Sequence, residues 1–403
     1  MDTFQKLDYL NEFAHSQLYT NILPFWQNHT VDREHGGFYG QINNDQSVVR
    51  EAVKGLVLNT RILWTFSAVY RERKDPLDLE LATRAYEYIV NYLYDEQQGG
   101  YFWSLLPNGS PYDVKKQIYA QAFTIYGLSE YFKINGNPSV LKRATELFHL
   151  IEEKSFDKAE NGYVEALNRE WDEMADIRLS EKDMNERKSM NTHLHILEAY
   201  ANLYLVWKDK FLKQQLENLI ELFLDKIINP TDFHQNLFFD DHWNTRSSLI
   251  SYGHDIETSW LLHEAAHILG NKKLTEHVSE ISIGMCDAVK KGISEKGAIY
   301  YESDRLKKHS DNEIEWWAQA EGIVGYLNAF ELSRNAEYLN IAIDIIRFIE
   351  NYIVDNTHGE WFFRVTEKGK PILSHEKAGF WKCPYHNTRA CLELIHRIHQ
   401  FKS

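Results

Sequence analysis

The sequence predicts an all-α fold: an (α/α)6 barrel of six helical hairpins with short β-hairpins at one mouth. Three observations predict it. First, one cue recurs: an acidic residue, a short turn that usually holds glycine, then alternating aromatic and polar residues. It starts at positions 32, 95, 157, 232, 295 and 355, in steps of 63, 62, 75, 63 and 60. A period of this length marks a repeat architecture. Second, each interval holds an almost wholly apolar helix, such as Gly55-Leu-Val-Leu-Asn-Thr-Arg-Ile-Leu-Trp-Thr-Phe. Third, an amphipathic helix follows it, such as Leu79-Glu-Leu-Ala-Thr-Arg-Ala-Tyr-Glu-Tyr-Ile. A helix apolar on all sides must be buried, whereas one with a charged stripe faces water. Six such pairs give an inner and an outer ring.

The cue reads Asp32-Arg-Glu-His-Gly-Gly-Phe-Tyr-Gly in the first unit and Asp95-Glu-Gln-Gln-Gly-Gly-Tyr-Phe-Trp in the second. Period-two alternation after each turn predicts a short strand. The fourth copy, Asp232-Phe-His-Gln-Asn-Leu-Phe-Phe-Asp, is weaker and lacks the glycine. The extra residues of the third unit fall at Arg169–Lys188, a polar loop expected to cover one mouth. An open α-solenoid would share the repeat. Six copies, with hairpins that would gather at one end, favour closure, and residues 1–403 are expected to form a single catalytic domain.

Composition narrows the function. Asp and Glu number 59 against 44 Lys and Arg, a net charge of −15, which repels phosphate backbones and disfavours nucleic acid as a partner. No apolar run approaches the roughly 20 residues that span a bilayer, and the N-terminus lacks the basic and apolar regions of a signal peptide. The odd set Cys286, Cys383 and Cys391 offers neither a disulfide framework nor a zinc cage, so a cytoplasmic protein is expected. Aromatic residues reach 14%, including 11 Trp, enough to build both a core and a cleft that stacks sugar rings.

Polar residues on the core-facing stripe of an inner helix need a partner or a purpose. In Ser251-Tyr-Gly-His254-Asp-Ile-Glu257, the histidine and glutamate share one face, and His254 falls in the first turn, at the mouth. His386, just after Pro384, matches His254 in its own unit, and Arg389 continues its stripe. Asn191, His195, Glu198 and Asn202 form a third polar stripe, from which His193 points away as a structural residue. Arg61 is the lone charge in an apolar helix, where it suits an anion or a developing negative charge. The second unit offers Gln117, Tyr119 and Gln121. Trp317 and Trp381 are placed to face pyranose rings, and Trp316 suits core packing equally well.

His263-Glu264-Ala-Ala-His267 fits a zinc-protease pattern, but the wheel turns His263 about 180° from His254, toward the outer ring, and no metal is expected. Histidine takes and returns protons near neutral pH. Two imidazoles on facing sides of a pocket, with an arginine for the oxyanion, point to proton transfer beside a sugar carbonyl: epimerisation or aldose–ketose isomerisation. A glycoside hydrolase on the same barrel, using Glu257 and Glu315, is the alternative from another class.

Arg61-Ile-Leu-Trp, Ser189-Met-Asn-Thr-His-Leu-His-Ile-Leu-Glu-Ala-Tyr, Ser251-Tyr-Gly-His-Asp-Ile-Glu, Glu315-Trp-Trp and Trp381-x4-His386 occur in this order. With the six-hairpin pattern they resemble the N-acylglucosamine 2-epimerase family over essentially the whole chain, and most of all its members that act on disaccharides. The resemblance implies a cofactor-independent enzyme that opens the reducing-end glucose of a β-1,4-linked disaccharide and inverts C2 through a cis-enediolate. It implies His254 and His386 as the acid/base pair and Glu257 as a residue orienting or tuning His254. Arg61, His195, Asn191 and Tyr119 would hold O1, O2 and the intermediate's charge. Trp317 and Trp381 would stack the sugars, and Asp183 would contact a hydroxyl. Epimerases acting on N-acylglucosamine or mannose, and mannose isomerase, are the alternatives within the family. The partner expected is a disaccharide, with no nucleic acid or membrane, and the protein a monomer or dimer.

Overall fold

A computed structural model describes residues 1–306 and 309–403. Six inner helices form a closed ring: α3 (Leu56–Arg73), α5 (Ile118–Asn135), α7 (Met190–Val206), α9 (Tyr252–Leu269), α11 (Trp316–Ser333) and α13 (Tyr385–Lys402). Each packs on the next, and α13 packs back on α3, so the solenoid alternative fails. The outer helices are α4 (Pro76–Tyr88), α6 (Pro138–Lys154), α8 (Lys210–Leu222), α10 (Lys272–Val289) and α12 (Ala336–Phe348). The outer position beside α13 is filled by α1 (Thr3–Ser16), which packs on α13 and α12 and continues through a π-helical segment into α2 (Leu23–His29). First and last helices thus complete one unit and lock the ring.

The inner helices start at the mouth and end at tight turns on the far side. At four of those turns a left-handed residue (Lys74, Gly136, Gly270 or Arg334) ends the inner helix. An Asp or Asn then caps the outer helix: Asp75, Asn137, Asn271 and Asn335 each accept a hydrogen bond from a first-turn backbone N–H.

At the mouth the strands differ from simple local hairpins. The short strand before each of five inner helices pairs antiparallel with the strand of the following unit, as in Lys54–Gly55 with Ser104–Leu105 and Ile314–Glu315 with Arg364–Val365. A bridge between Ile42 and Ala378 joins the last unit to the first. Backbone hydrogen bonding therefore closes the same circle as the helices.

The recurring acidic cue has a structural cause. Asp32 Oδ1 accepts the backbone N–H groups of Glu34 and His35, and its Oδ2 takes Lys54 Nζ at 2.6 Å. Asp95 pairs in the same way with Lys116 and Asp157 with Lys188, both at 2.9 Å, and Asp355 pairs with Lys377. These lysines are buried just ahead of the inner helices and tie each turn to its own unit. The two glycines of the turn are both left-handed, with φ of 78° and 61° at Gly36 and Gly37. In the glycine-poor fourth copy Phe233 takes that conformation, at φ 60°. Among the described residues no helix is long and apolar enough to cross a membrane.

A buried ion pair stripped of one partner leaves an uncompensated charge. Lys54→Met is expected to lower the unfolding free energy by about 3–5 kcal/mol, read from urea denaturation. A loss no larger than that of an exposed control such as Lys142→Met would show that the Asp–Lys ties do not hold the turns.

Candidate active site

Eleven of the residues singled out from the sequence, the five given to catalysis and the six given to substrate binding, line one cavity of about 360 Å³ at the mouth. The fold gathers them because the inner helices begin there. Tyr119, Asn191, His254, Trp317 and His386 occupy first turns of their helices, and Arg61, His195 and Glu257 lie one turn deeper. Trp381 precedes α13, and Asp183 comes from the polar loop of the third unit, whose residues Leu179–Asp183 cover the cavity.

The three site histidines are held through Nδ1. His386 Nδ1 lies 2.7 Å from Glu321 Oε1, His195 Nδ1 lies 2.9 Å from Glu198 Oε2, and His254 Nδ1 lies 2.7 Å from Ser251 Oγ. Both Glu321 oxygens act as acceptors: Oε1 also takes Arg389 Nη2 at 2.7 Å and Oε2 takes Trp260 Nε1 at 3.0 Å, while burial raises its pKa against the pull of Arg389. The hydrogen of the His386 contact therefore sits on Nδ1, leaving Nε2 as the basic atom. Burial drives His254 down to about 3, with His195 and Arg61 adding to the shift. Burial, then Arg61 and Arg389, pushes His386 well below its ordinary value. Both rings are thus neutral bases at pH 7.

Glu257 departs from expectation. It does not touch His254, which is held instead by Ser251 three residues earlier. Its Oε1 accepts Arg389 Nη2 at 2.8 Å and lies 3.9 Å from His386 Nδ1. The helix turn that places His254 at the rim carries Glu257 down to the buried guanidinium. Arg389, set on a polar stripe but given no role by the sequence, proves to be the centre of the floor. It also binds Glu198, which accepts Tyr385 Oη as well. Although burial acts to raise it, Arg389 and then His195 hold Glu198 at about 2. Burial and then repulsion from Glu321 raise Glu257 well above the carboxylate range. Glu257, Glu321 and His386 offer ligand atoms within 4.8 Å of one another, a spacing suited to a metal ion. The guanidinium already occupies the space between the two carboxylates.

Arg61 is buried with no carboxylate partner among the described residues. Nη2 donates to Tyr119 Oη at 2.6 Å, Nη1 lies 3.7 Å from Cys383 Sγ, and Nε is unpaired. Its guanidinium lies over Phe123 at 4.3 Å. Burial acts to lower its pKa, but Tyr119, Cys383 and Tyr385 around it carry the value above the ordinary one. The cation is ready for an anion that the protein does not supply. Asn191 likewise has a buried side-chain oxygen without a partner.

Trp317 contacts both facing histidines, with ring centres 4.7 Å from His254 and 5.7 Å from His386. Trp381 packs against Tyr119 and Trp103 and is half-buried. Trp316 is buried against Phe363 at 4.6 Å, nearer to the core-packing reading. Asp183 binds Ser180 through its backbone N–H at 2.9 Å and its hydroxyl at 2.7 Å, and burial raises its pKa. His193 is structural as expected: its Nε2 accepts the Tyr163 N–H and Nδ1 meets the Ser189 carbonyl. Gln121 clamps the backbone of Tyr101. His263 corrects the wheel: it does not face the outer ring, and its Nδ1 lies 3.2 Å from Asn328 on the inner helix α11. Ser180, Tyr301 and Phe363 also line the cavity and carried no sequence signal, since they lie on loops without helical periodicity.

The family model for N-acylglucosamine 2-epimerase matches residues 37–390. The chain belongs to the N-acylglucosamine 2-epimerase family. It is 48% identical to the cellobiose 2-epimerase of Bacteroides fragilis over 386 residues, covering 96% of this chain and 98% of that protein. It is 37% identical to the cellobiose 2-epimerase of Dictyoglomus turgidum, covering 94% and 97%. The solved structure of cellobiose 2-epimerase from Bacillus thermoamylovorans superposes with a TM-score of 0.92 at 40% identity, covering 97% of this chain and 99% of that one. Membership makes the protein a carbohydrate epimerase, an isomerase.

The neutral, part-buried His254 links stability to pH. Its folded value of about 3 lies below the unfolded value of 6.5, so its share of stability is complete above pH 6.5 and drains as pH falls toward 3. Well below pH 6.5 the slope is about 1.4 kcal/mol per pH unit. Urea unfolding at pH 7, 6, 5 and 4.5 is expected to show a shallower decline for His254→Gln than for wild type. Parallel curves would mean that the ring is not held neutral.

Proposed function

We propose that the protein epimerises, at C2, the reducing-end glucose of β-1,4-linked disaccharides, converting cellobiose to glucosyl-mannose and lactose to epilactose without a cofactor. Its relatives named cellobiose 2-epimerase support this reading. The observation that carries it is the pair His254 and His386, both lining one cavity, both against Trp317 and both engaged through Nδ1. Their Nε2 atoms are the groups left to act on substrate.

After ring opening, one imidazole Nε2 takes hydrogen from C2 as a proton. The C2–H electron pair moves into the C1–C2 bond, and O1 takes up the charge of a cis-enediolate. Arg61, with Tyr119 and Asn191, is the charge-stabilising wall, since its guanidinium has no internal anion. Rotation about C2–C3 turns the other face to the opposite ring. That ring, neutral at rest, receives the proton relayed from the first imidazolium through substrate hydroxyl and solvent, gives it to C2, and the C1 carbonyl re-forms. Glu321 supports the cationic form of His386 directly, whereas His254 has only Ser251. His195, fixed by Glu198, serves O1 and O2. Trp317 and Trp381 stack the sugars, with Trp316 behind them, and Asp183 meets a hydroxyl from the covering loop.

The hydrolase reading fares poorly here. Glu257 is taken by Arg389 and Glu315 by Arg364, so neither carboxylate is free to act as nucleophile or base. One chain supplies the whole site, so a single protomer suffices for activity. The three free, buried cysteines support a cytoplasmic location.

Cellobiose incubated with the protein in deuterated water is expected to give glucosyl-mannose carrying deuterium at C2, seen by NMR. Two glucoses, or product without solvent hydrogen, would sink the reading; parallel incubations with mannose and N-acetylglucosamine test the alternatives within the family. His254→Ala and His386→Ala are each expected to abolish turnover with the circular dichroism spectrum retained. Arg61→Met should lower kcat by about 10²–10³-fold. Near wild-type rates in any of these would displace that residue from its role.

A further inference from the structure

Trp317 lies against both imidazoles, with ring centres 4.7 Å from His254 and 5.7 Å from His386, and two further contacts fix its position. Below it, Gly253 leaves the space that its indole fills: a Cβ there would lie 2.6 Å from Cη2 and 2.9 Å from Cζ3. At its polar edge, Nε1 donates to Glu315 Oε2 at 2.5 Å. Glu315 is in turn gripped by Arg364, whose Nε lies 3.0 Å from Oε1 and whose Nη2 binds the same oxygen. Glu315 and Arg364 are direct cross-strand partners in the two-stranded ladder that joins the fifth and sixth units. Both are buried, and Arg364 is braced from outside by Glu313 at 2.5 Å and by the Tyr301 ring at 4.5 Å. A charged pair buried beside a site is costly unless its geometry is used.

We propose that Glu315 and Arg364 are positioning residues: they hold Trp317 as a spacer that sets both imidazoles against one carbon of the substrate. The inference rests on the epimerase reading above. An enediolate accepts a proton at C2 or at C1. Protonation at C2 gives the epimer, and at C1 the ketose; no further reactant is needed for either. With Trp317 fixed, His254 and His386 face C2 from opposite sides. With its edge released, the ring tilts, the imidazoles shift with it, and protonation spreads to C1.

The test uses Glu315→Gln, Glu315→Ala and Arg364→Met in the full chain. Glu315→Gln keeps an acceptor for the indole and loses the ion pair; it carries the test if Glu315→Ala is unstable. On cellobiose, kcat is expected to fall by about tenfold in Glu315→Gln and about a hundredfold in Glu315→Ala, as a displacement near 1 Å would cause. The ratio of ketose to epimer, read by NMR, is expected to rise in every variant. A role in folding alone would lower the melting temperature and leave that ratio unchanged. Glu146→Gln, at an exposed position of the outer helix α6, should leave both readouts at wild type. Independently of any substrate, the ¹⁵N-indole resonance of Trp317, assigned with Trp317→Phe, should move in Glu315→Gln and Arg364→Met. An unmoved resonance overturns the clamp. A moved resonance with wild-type kcat and product ratio overturns its positioning role. If wild type leaves cellobiose unchanged, the epimerase reading fails and the indole shift still decides the clamp.

Discussion

The floor of this site depends on one guanidinium. Arg389 is ion-paired with Glu198, Glu257 and Glu321, and all four are buried. Buried carboxylates repel one another, and without a central cation they could not share this space. Two of the three hold a histidine: Glu198 orients His195 and Glu321 orients His386. The arginine therefore fixes tautomers two bonds away from itself. It is also the reason that Glu257 turns to the guanidinium and not to the neighbouring His254.

The asymmetry between the facing imidazoles follows. His386 is backed by a carboxylate and His254 by a hydroxyl. Burial keeps both neutral at rest, but only His386 has a fixed negative charge to steady its imidazolium. In the same cavity Arg61 is a cation with no carboxylate partner among the described residues, so the cavity is built with a positive wall and two neutral bases. That distribution suits a reaction whose intermediate is an oxyanion and whose ground state is uncharged.

Ring closure turns these local features into a site. The inner helices point their N-termini at one mouth, and the strand ladder links each unit to the next around that rim. The same ladder that closes the barrel places Arg364 against Glu315, and so reaches Trp317. The Asp–Lys ties under four of the six turns brace the rim, and the long loop of the third unit brings Asp183 over the opening. Architecture and chemistry share the same residues because both are concentrated where helices begin.

Much of this was legible in the sequence because it is periodic. The spacing of the acidic cue gave six units, and the 3.6-residue period set Arg61, His195, His254 and His386 on inward stripes. Even Asp183, on a loop, was found through resemblance to the family. What the sequence could not supply was partnership. Glu321 and His386 stand 65 residues apart and Arg389 and Glu198 stand 191 apart, and no local period relates them. The same reasoning explains the errors: the helical wheel put Glu257 beside His254 on one face, yet a nearer serine and a distant arginine won the two side chains. Nor could the chain order reveal that α1 completes the last hairpin. By itself, then, the sequence determined which residues face inward, since that follows from the pitch of each helix. Only the closed ring decided which of them meet, because hydrogen bonds and ion pairs depend on distances through space that the linear order does not contain.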